Sequence, residues 1–160
     1  MNIDADRLAL TQQLHALLVD YWHDVDTNWG RLAPDYFTPD GLWVGENSTF
    51  EGREGVRAFY QWREKRGNRV VFHSVQNLRA IFDGGPDKAL CQWVMVLHGG
   101  DGTPPIATNP PILIDYMTER WVLTDEGWKI NHRSSNVLFK GGALLPRPEL
   151  GVPHDAAAAQ

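Results

Sequence analysis

From residue 69 onward the chain reads in twos. "RVVFHSVQNLRAIFD" (69–83), "KALCQWVMVLHG" (88–99), "PILIDYMTERWVLT" (111–124) and "WKINHRSSNVLF" (128–139) carry the pattern of long strands. "DGGPD" and "TDEG" are tight connections that predict hairpins, and "GGDGTPPIATNPP" (99–111) is a longer, stiff loop. Ahead of the strands the period is helical. Residues 4–25 set Leu10, Leu14, Leu17 or Leu18, Tyr21 and Val25 on one stripe behind a capping Asp4 or Asp6. Residues 53–66 repeat the pattern with Val56, Phe59, Tyr60 and Arg63, and Gly67 is placed to end that helix. Between the helices, "WGRLAPDYF" predicts a short helical piece with Leu32, Tyr36 and Phe37 inward. "TPDG" (38–41) predicts a turn and "LWVGE" a short strand.

Helices first and long antiparallel strands afterwards make an α+β protein. The expected architecture is a strongly curved sheet that wraps the N-terminal helices and leaves a cavity between the two layers. Residues 1–140 form one domain with a single core. Residues 141–160 have no periodicity and read as a tail, a candidate cover for the pocket.

Composition narrows the function classes. Seven tryptophans, six phenylalanines and four tyrosines are many for 160 residues, and aromatics line apolar pockets, although any single one is more often plain core. The net charge is −5, and no basic cluster exceeds "REKRGNR" (63–69), so the footprint that nucleic acid requires is missing. Cys91 stands alone, against an internal disulfide or a cysteine metal cage. No apolar run nears the roughly 20 residues that cross a bilayer. The start, "MNIDADRLAL", lacks the signal-peptide pattern, so the expected location is the cytoplasm. Six scattered histidines give no metal signature, and HExxH, Walker and GxSxG motifs are absent. No cofactor is expected.

One strand carries polar residues that burial would not choose. On 69–83, a strict period of two puts Val71, His73, Val75, Asn77 and Ile81 on one face. His73 is either a satisfied core histidine or a base, and a carboxylate partner would favour the base by fixing its tautomer. Asp26, at the exit of the first helix, is the candidate partner. Read locally, it fits better as a turn residue bonding the backbone of Thr27 or Asn28. Tyr21 lies on the apolar stripe, from which its hydroxyl can reach a cavity. Asp115 interrupts "PILIDYM" and serves as a second acid or anchor if inward, a solvent residue if outward. His132 and Arg133 point to opposite sides, so at most one faces the cavity.

The stretches "VDTNWGRLAPDYFTPDGLWVG", "FEGREGVRAFYQWR", "FHSVQN" and "TDEGWKINHR", in this order and spacing, resemble the nuclear transport factor 2-like superfamily, in particular its SnoaL-like branch. The resemblance implies a cone-shaped α+β barrel with a deep pocket at the open end. It implies the logic shared by scytalone dehydratase, hexachlorocyclohexane dehydrochlorinase and bile-acid 7α-dehydratase: an Asp at the end of the first helix orients a His on the first long strand, and the His removes a proton from the substrate. Asp26 and His73 fall at those positions. Tyr21 matches a pocket tyrosine and Arg133 a basic residue on the last strand. Where the dehydratases carry a second His or Asp, this chain reads "CQWVMV", with Trp93 or Gln92 in that place.

The expected function is a cofactor-independent lyase or isomerase acting on a hydrophobic cyclic small molecule, with Asn77, Asp115, Arg133, Tyr21 and Trp93 as substrate contacts. One alternative is a non-catalytic ligand-binding or assembly subunit, resembling the β subunit of ring-hydroxylating dioxygenases. Another is a carboxylate-based isomerase or epoxide hydrolase, in which Asp26 and Asp115 matter more than His73. The resemblance also implies a homo-oligomer, dimer or trimer, formed through the outer sheet face.

Overall fold

Asp4 caps the first helix, α1 (Ala5–Thr27), its carboxylate accepting from the Arg7 backbone N–H at 2.8 Å. The protein is described here by a computed structural model covering residues 4–107, 109–141 and 152–153. Leu10, Leu14, Leu18, Tyr21 and Val25 are buried along α1, as its apolar spacing requires. A neighbouring row of the same helix, Leu18, Trp22 and Asp26, is spaced by four and faces the sheet as well. At the helix exit Trp29 and Gly30 take positive φ, 63° and 74°. The Tyr60 ring packs so closely on Gly30 that a Cβ there would overlap it. Asp24, near the end of α1, is buried. It accepts from the Leu32 and Ala33 backbone N–H groups at 2.9 and 3.0 Å and from the Asn28 amide at 2.7 Å, pinning the turn.

A 3₁₀ turn (Ala33–Tyr36) with Pro34 in its first positions leads into β1 (Phe37–Val44). Phe37 is buried as expected, but Leu32 is exposed. "TPDG" is not a turn between elements. It bulges out of β1, which pairs with β6 (Gly127–Lys140) at Phe37↔Ile130 and resumes at Leu42↔His132. The turn-forming residues thus serve a bulge within a strand. A short strand the pattern did not show, β2 (Ser48–Glu51), precedes α2 (Gly52–Lys65).

The long strands follow: β3 (Arg69–Phe82), β4 (Lys88–Asp101), β5 (Leu113–Thr124) and then β6. With β7 (Val152–Pro153) beside β2, the sheet order is β3-β4-β5-β6-β1-β2-β7. Among the described residues only the β1–β6 pairing is parallel. Alternation on β4 and β5 is strict: Cys91, Trp93, Met95 and Leu97 face inward on β4, and Leu113, Asp115, Met117, Glu119 and Trp121 on β5. On β3 and β6 bulges reset the count. The β3–β4 register shifts between Gln76 and Arg79, and β5–β6 shifts between Ile114 and Asp115 and between Arg120 and Trp121. These irregularities bend the sheet into a cone around α1. The expected tail falls largely outside the described residues; within it only Gly141 and Val152–Pro153 are described, the latter pair at the sheet edge.

Candidate active site

The bulge in β3 decides which polar residues reach the interior. Before it, the period of two holds, and His73 is buried. Asn77 sits in the bulge with φ 52° and is exposed, so the expectation that it shares the His73 face is corrected. A strict alternation carried across a bulge assigns every later residue to the wrong side; accordingly Ala80, not Ile81, is the buried residue near the end of β3.

Asp26 holds His73 at two points. One carboxylate oxygen accepts the His73 backbone N–H at 2.8 Å, and the other lies 2.5 Å from the ring Nδ1. The local turn reading of Asp26 is thereby replaced: the carboxylate bonds a residue 47 positions away. With Asp26 accepting at Nδ1, that nitrogen carries the proton and Nε2 is left as the proton acceptor facing the cavity. Trp22 lies flat on the imidazole, with ring centroids 4.1 Å apart and planes 18° from parallel. Trp93 supports Trp22 edge-on at 6.0 Å. Carboxylate, indole and backbone leave the ring one orientation.

Burial pushes the His73 pKa down to about 4; the Asp26 hydrogen bond and charge oppose the shift, while Arg63 and Arg69 add to it. At neutral pH the imidazole is uncharged and able to accept a proton.

The cavity, about 220 Å³, opens between α2 and the sheet. Trp22, Trp43, Phe50, Phe59, Tyr60 and Trp62 form its aromatic wall, and Val71, Met95, Leu97, Leu113 and Met117 its aliphatic one. Since a dry cavity of about 150 Å³ takes one benzene ring, this volume suits a ring compound with substituents. Asp115 lines the same cavity as His73 from two strands away, where it pairs with Met95 on β4, two residues along that strand from Leu97, the partner of His73. Its inward orientation follows the β5 alternation. Burial raises its pKa to about 6, with Ser135 pulling down, Glu46 pushing up and Lys140 pulling down. Its Oδ1 has no hydrogen-bond partner among the described residues.

Three expected substrate contacts lie beneath the cavity floor. Tyr21 is fully buried; its hydroxyl bonds the Tyr60 hydroxyl at 2.5 Å and does not open into the cavity. Burial raises the pKa of both phenols, so both stay protonated. Trp93 is fully buried as the support of Trp22. Arg133 points inward and His132 outward, as their alternation requires, but Arg133 is also fully buried. Its Nε donates to Glu119 at 2.7 Å, and its guanidinium carbon stands 4.3 Å from the Tyr21 ring centre and 5.2 Å from that of Phe37. For each of the three the correction has one cause: the apolar layer is two side chains deep, and a period tells inside from outside but not depth.

Glu119 and Trp22 are the residues that pattern reading missed. Glu119 shares the inward face with Asp115 and pairs in register with Arg133, and Trp22 lies four residues before Asp26; both spacings were signals. No cluster of three or more His, Cys, Asp or Glu among the described residues could hold a metal ion.

Solved structures share this fold at low identity. A protein called "Putative Scytalone Dehydratase" from Novosphingobium aromaticivorans superposes with a TM-score of 0.75 at 17% identity, covering 88% of this chain and 92% of that one. LinA superposes at 0.68 with 24% identity, covering 89% and 97%. Rv3472, a protein of unknown function from Mycobacterium tuberculosis, superposes at 0.69 with 19% identity, covering 82% and 73%. No curated protein sequence matches. The model of the SnoaL-like domain matches residues 6–134, a span from the first turn of α1 to the Arg133 end of the buried network, and the chain therefore belongs to the SnoaL-like domain family.

Proposed function

We propose that this protein is a cofactor-independent lyase or isomerase that removes a carbon-bound proton from a hydrophobic cyclic small molecule. The observation that carries this reading is the two-point hold of Asp26 on His73 at the wall of an aromatic cavity. His73 Nε2 takes the proton, and the imidazolium that forms is stabilised by Asp26 through Nδ1–H. The electron pair left on carbon forms the double bond as a leaving group departs from the adjacent carbon. For a hydroxyl leaving group, protonated Asp115 supplies the proton and water is released. The proton on His73 then returns to Asp115 through solvent, closing the cycle.

Positioned base catalysis contributes about 10²- to 10⁴-fold, and the aromatic walls add orientation and exclude water. The carboxylate-based alternative is weaker, because both Asp26 oxygens are engaged by His73. The exposed Phe72 and Phe139 on the outer sheet face favour assembly into a homo-oligomer. An assembly role of this kind is compatible with catalysis within each subunit.

The test is deuterium wash-in. Ring compounds bearing an acidic C–H next to a hydroxyl or halide are incubated with protein in D₂O and followed by NMR for exchange and elimination. Turnover that disappears in His73→Ala supports the reading; turnover that survives there rejects it.

A further inference from the structure

The basic stretch "REKRGNR" stood out in the sequence, and the catalytic reading makes no use of it. Its three arginines converge on the mouth of the cavity. Arg63 lies in the last turn of α2, Arg66 follows the helix, and Arg69 opens β3; all three line the cavity that holds His73. Arg63 and Arg69 also line a second hollow of about 120 Å³ that reaches Asp26. They therefore form a shared wall between the two spaces. Cations at the end of α2 suit the helix dipole, which accounts for Arg63 and Arg66 but not for Arg69, which lies beyond the helix.

These charges are poorly matched by the protein. Among the described residues Arg63 and Arg66 make no ion pair. Arg66 lies over the Trp62 ring at 5.5 Å, and Arg63 is 6.0 Å from the Tyr60 ring centre. The Arg69 side chain is only 15% exposed, yet its acid, Asp101, is 3.9 Å away and largely in solvent. The other acid at this end is Asp26, whose oxygens hold His73. Three cations thus face two acids, an excess of positive charge in a chain whose net charge is −5. Burial first, then the charges of Arg63 and Arg66, lowers the pKa of Arg69.

We infer that the ligand of this cavity is an anion: a hydrophobic ring compound whose carboxylate is held by Arg63 and Arg69 while its ring lies between the aromatic walls. The inference rests on the proposed active site and names its substrate class. Planar guanidinium forks match a carboxylate in two-point geometry. An anion bound there also offsets the two charges that weaken His73 as a base. Substrate binding would then strengthen the base when it is needed.

The experiment uses 2-naphthoate and its neutral methyl ester, with binding read by quenching of the cavity tryptophans. The naphthoate should bind about tenfold or more tighter than the ester, the scale of one or two charge-assisted hydrogen bonds. Its affinity should fall with added salt. In Arg63→Gln/Arg69→Gln the preference should vanish while the ester binds as before. Equal affinities in the native protein, no binding of the naphthoate at millimolar concentration, or a preference that survives the double substitution would each overturn the inference. If the double variant does not fold, judged by its melting curve, Arg69→Gln alone is the second probe and should lose most of the preference; retention overturns the inference. His73→Asn separates the two readings. It should keep the preference for naphthoate, so a failed turnover assay with an intact preference rejects the lyase and leaves the anion subsite standing.

Discussion

The Asp26–His73 couple leaves 13% and 4% of its side chains exposed, while the Glu119–Arg133 couple leaves none. Both are an acid held against a base inside one apolar shell; Glu119 and Arg133 both stand on long strands, whereas Asp26 reaches His73 from the last turn of α1. Around Arg133, burial works against the charge, but Glu119, Tyr21 and Tyr60 outweigh it and hold the guanidinium above its usual value. Its two terminal nitrogens lack hydrogen-bond partners among the described residues and rest among aromatic faces. Such a group cannot give up its proton, and it meets no ligand. His73 is buried enough to be neutral and exposed enough to touch one. A few per cent of exposure, and a base that titrates, separate the pair proposed to react from the one that holds the fold.

The comparison breaks most sharply on activity. His73→Ala should lower kcat/KM by about 10²- to 10⁴-fold, with a melting temperature close to that of the parent; steady-state kinetics and a thermal melt check both halves. Arg133→Met should do the reverse to stability. It strands Glu119 as a buried charge and should cost about 3–5 kcal/mol in urea unfolding, most of it recovered when Glu119→Leu is added. Recovery in the double variant identifies the couple as structural.

Asp26→Asn keeps the shape but removes the charge that stabilises imidazolium, and it allows the wrong tautomer. It should lower kcat by about 10- to 100-fold with KM little changed. The pH profile sharpens the assignment further. The proposed mechanism requires neutral His73 and protonated Asp115, so kcat/KM should rise through about pH 4 and fall above about pH 6. Asp115→Asn should lose the upper limb.

Stability carries the same two groups with opposite signs. His73, held below its ordinary 6.5, stabilises the fold above that pH and loses the contribution as pH falls toward 4. Asp115, held above its ordinary 3.8, contributes fully below that value and loses the contribution as pH rises toward 6. Relative to the parent, His73→Ala should gain stability on acidification from pH 6 to 4, and Asp115→Asn should lose it. The smallest effect belongs to Asn77→Gly. The residue is exposed and already at positive φ, so stability and activity should both stay nearly unchanged.

Periodicity alone determined the α+β class, α1, α2 and the four long strands to within two residues at each end, because side-chain direction repeats locally in helices and strands. It also singled out His73, Asn77 and Asp115 as polar residues in apolar segments, and offered Asp26 at the helix exit as a partner for His73, although read locally Asp26 fits a turn. Only the tertiary structure decided which of these meet. The Asp26–His73 contact spans 47 residues, and no local pattern favours it over a turn. The bulges that expose Asn77 and the double layer that buries Tyr21, Trp93 and Arg133 below the floor are likewise products of sheet curvature. Curvature arises from pairing between strands, which the sequence of any one strand does not contain.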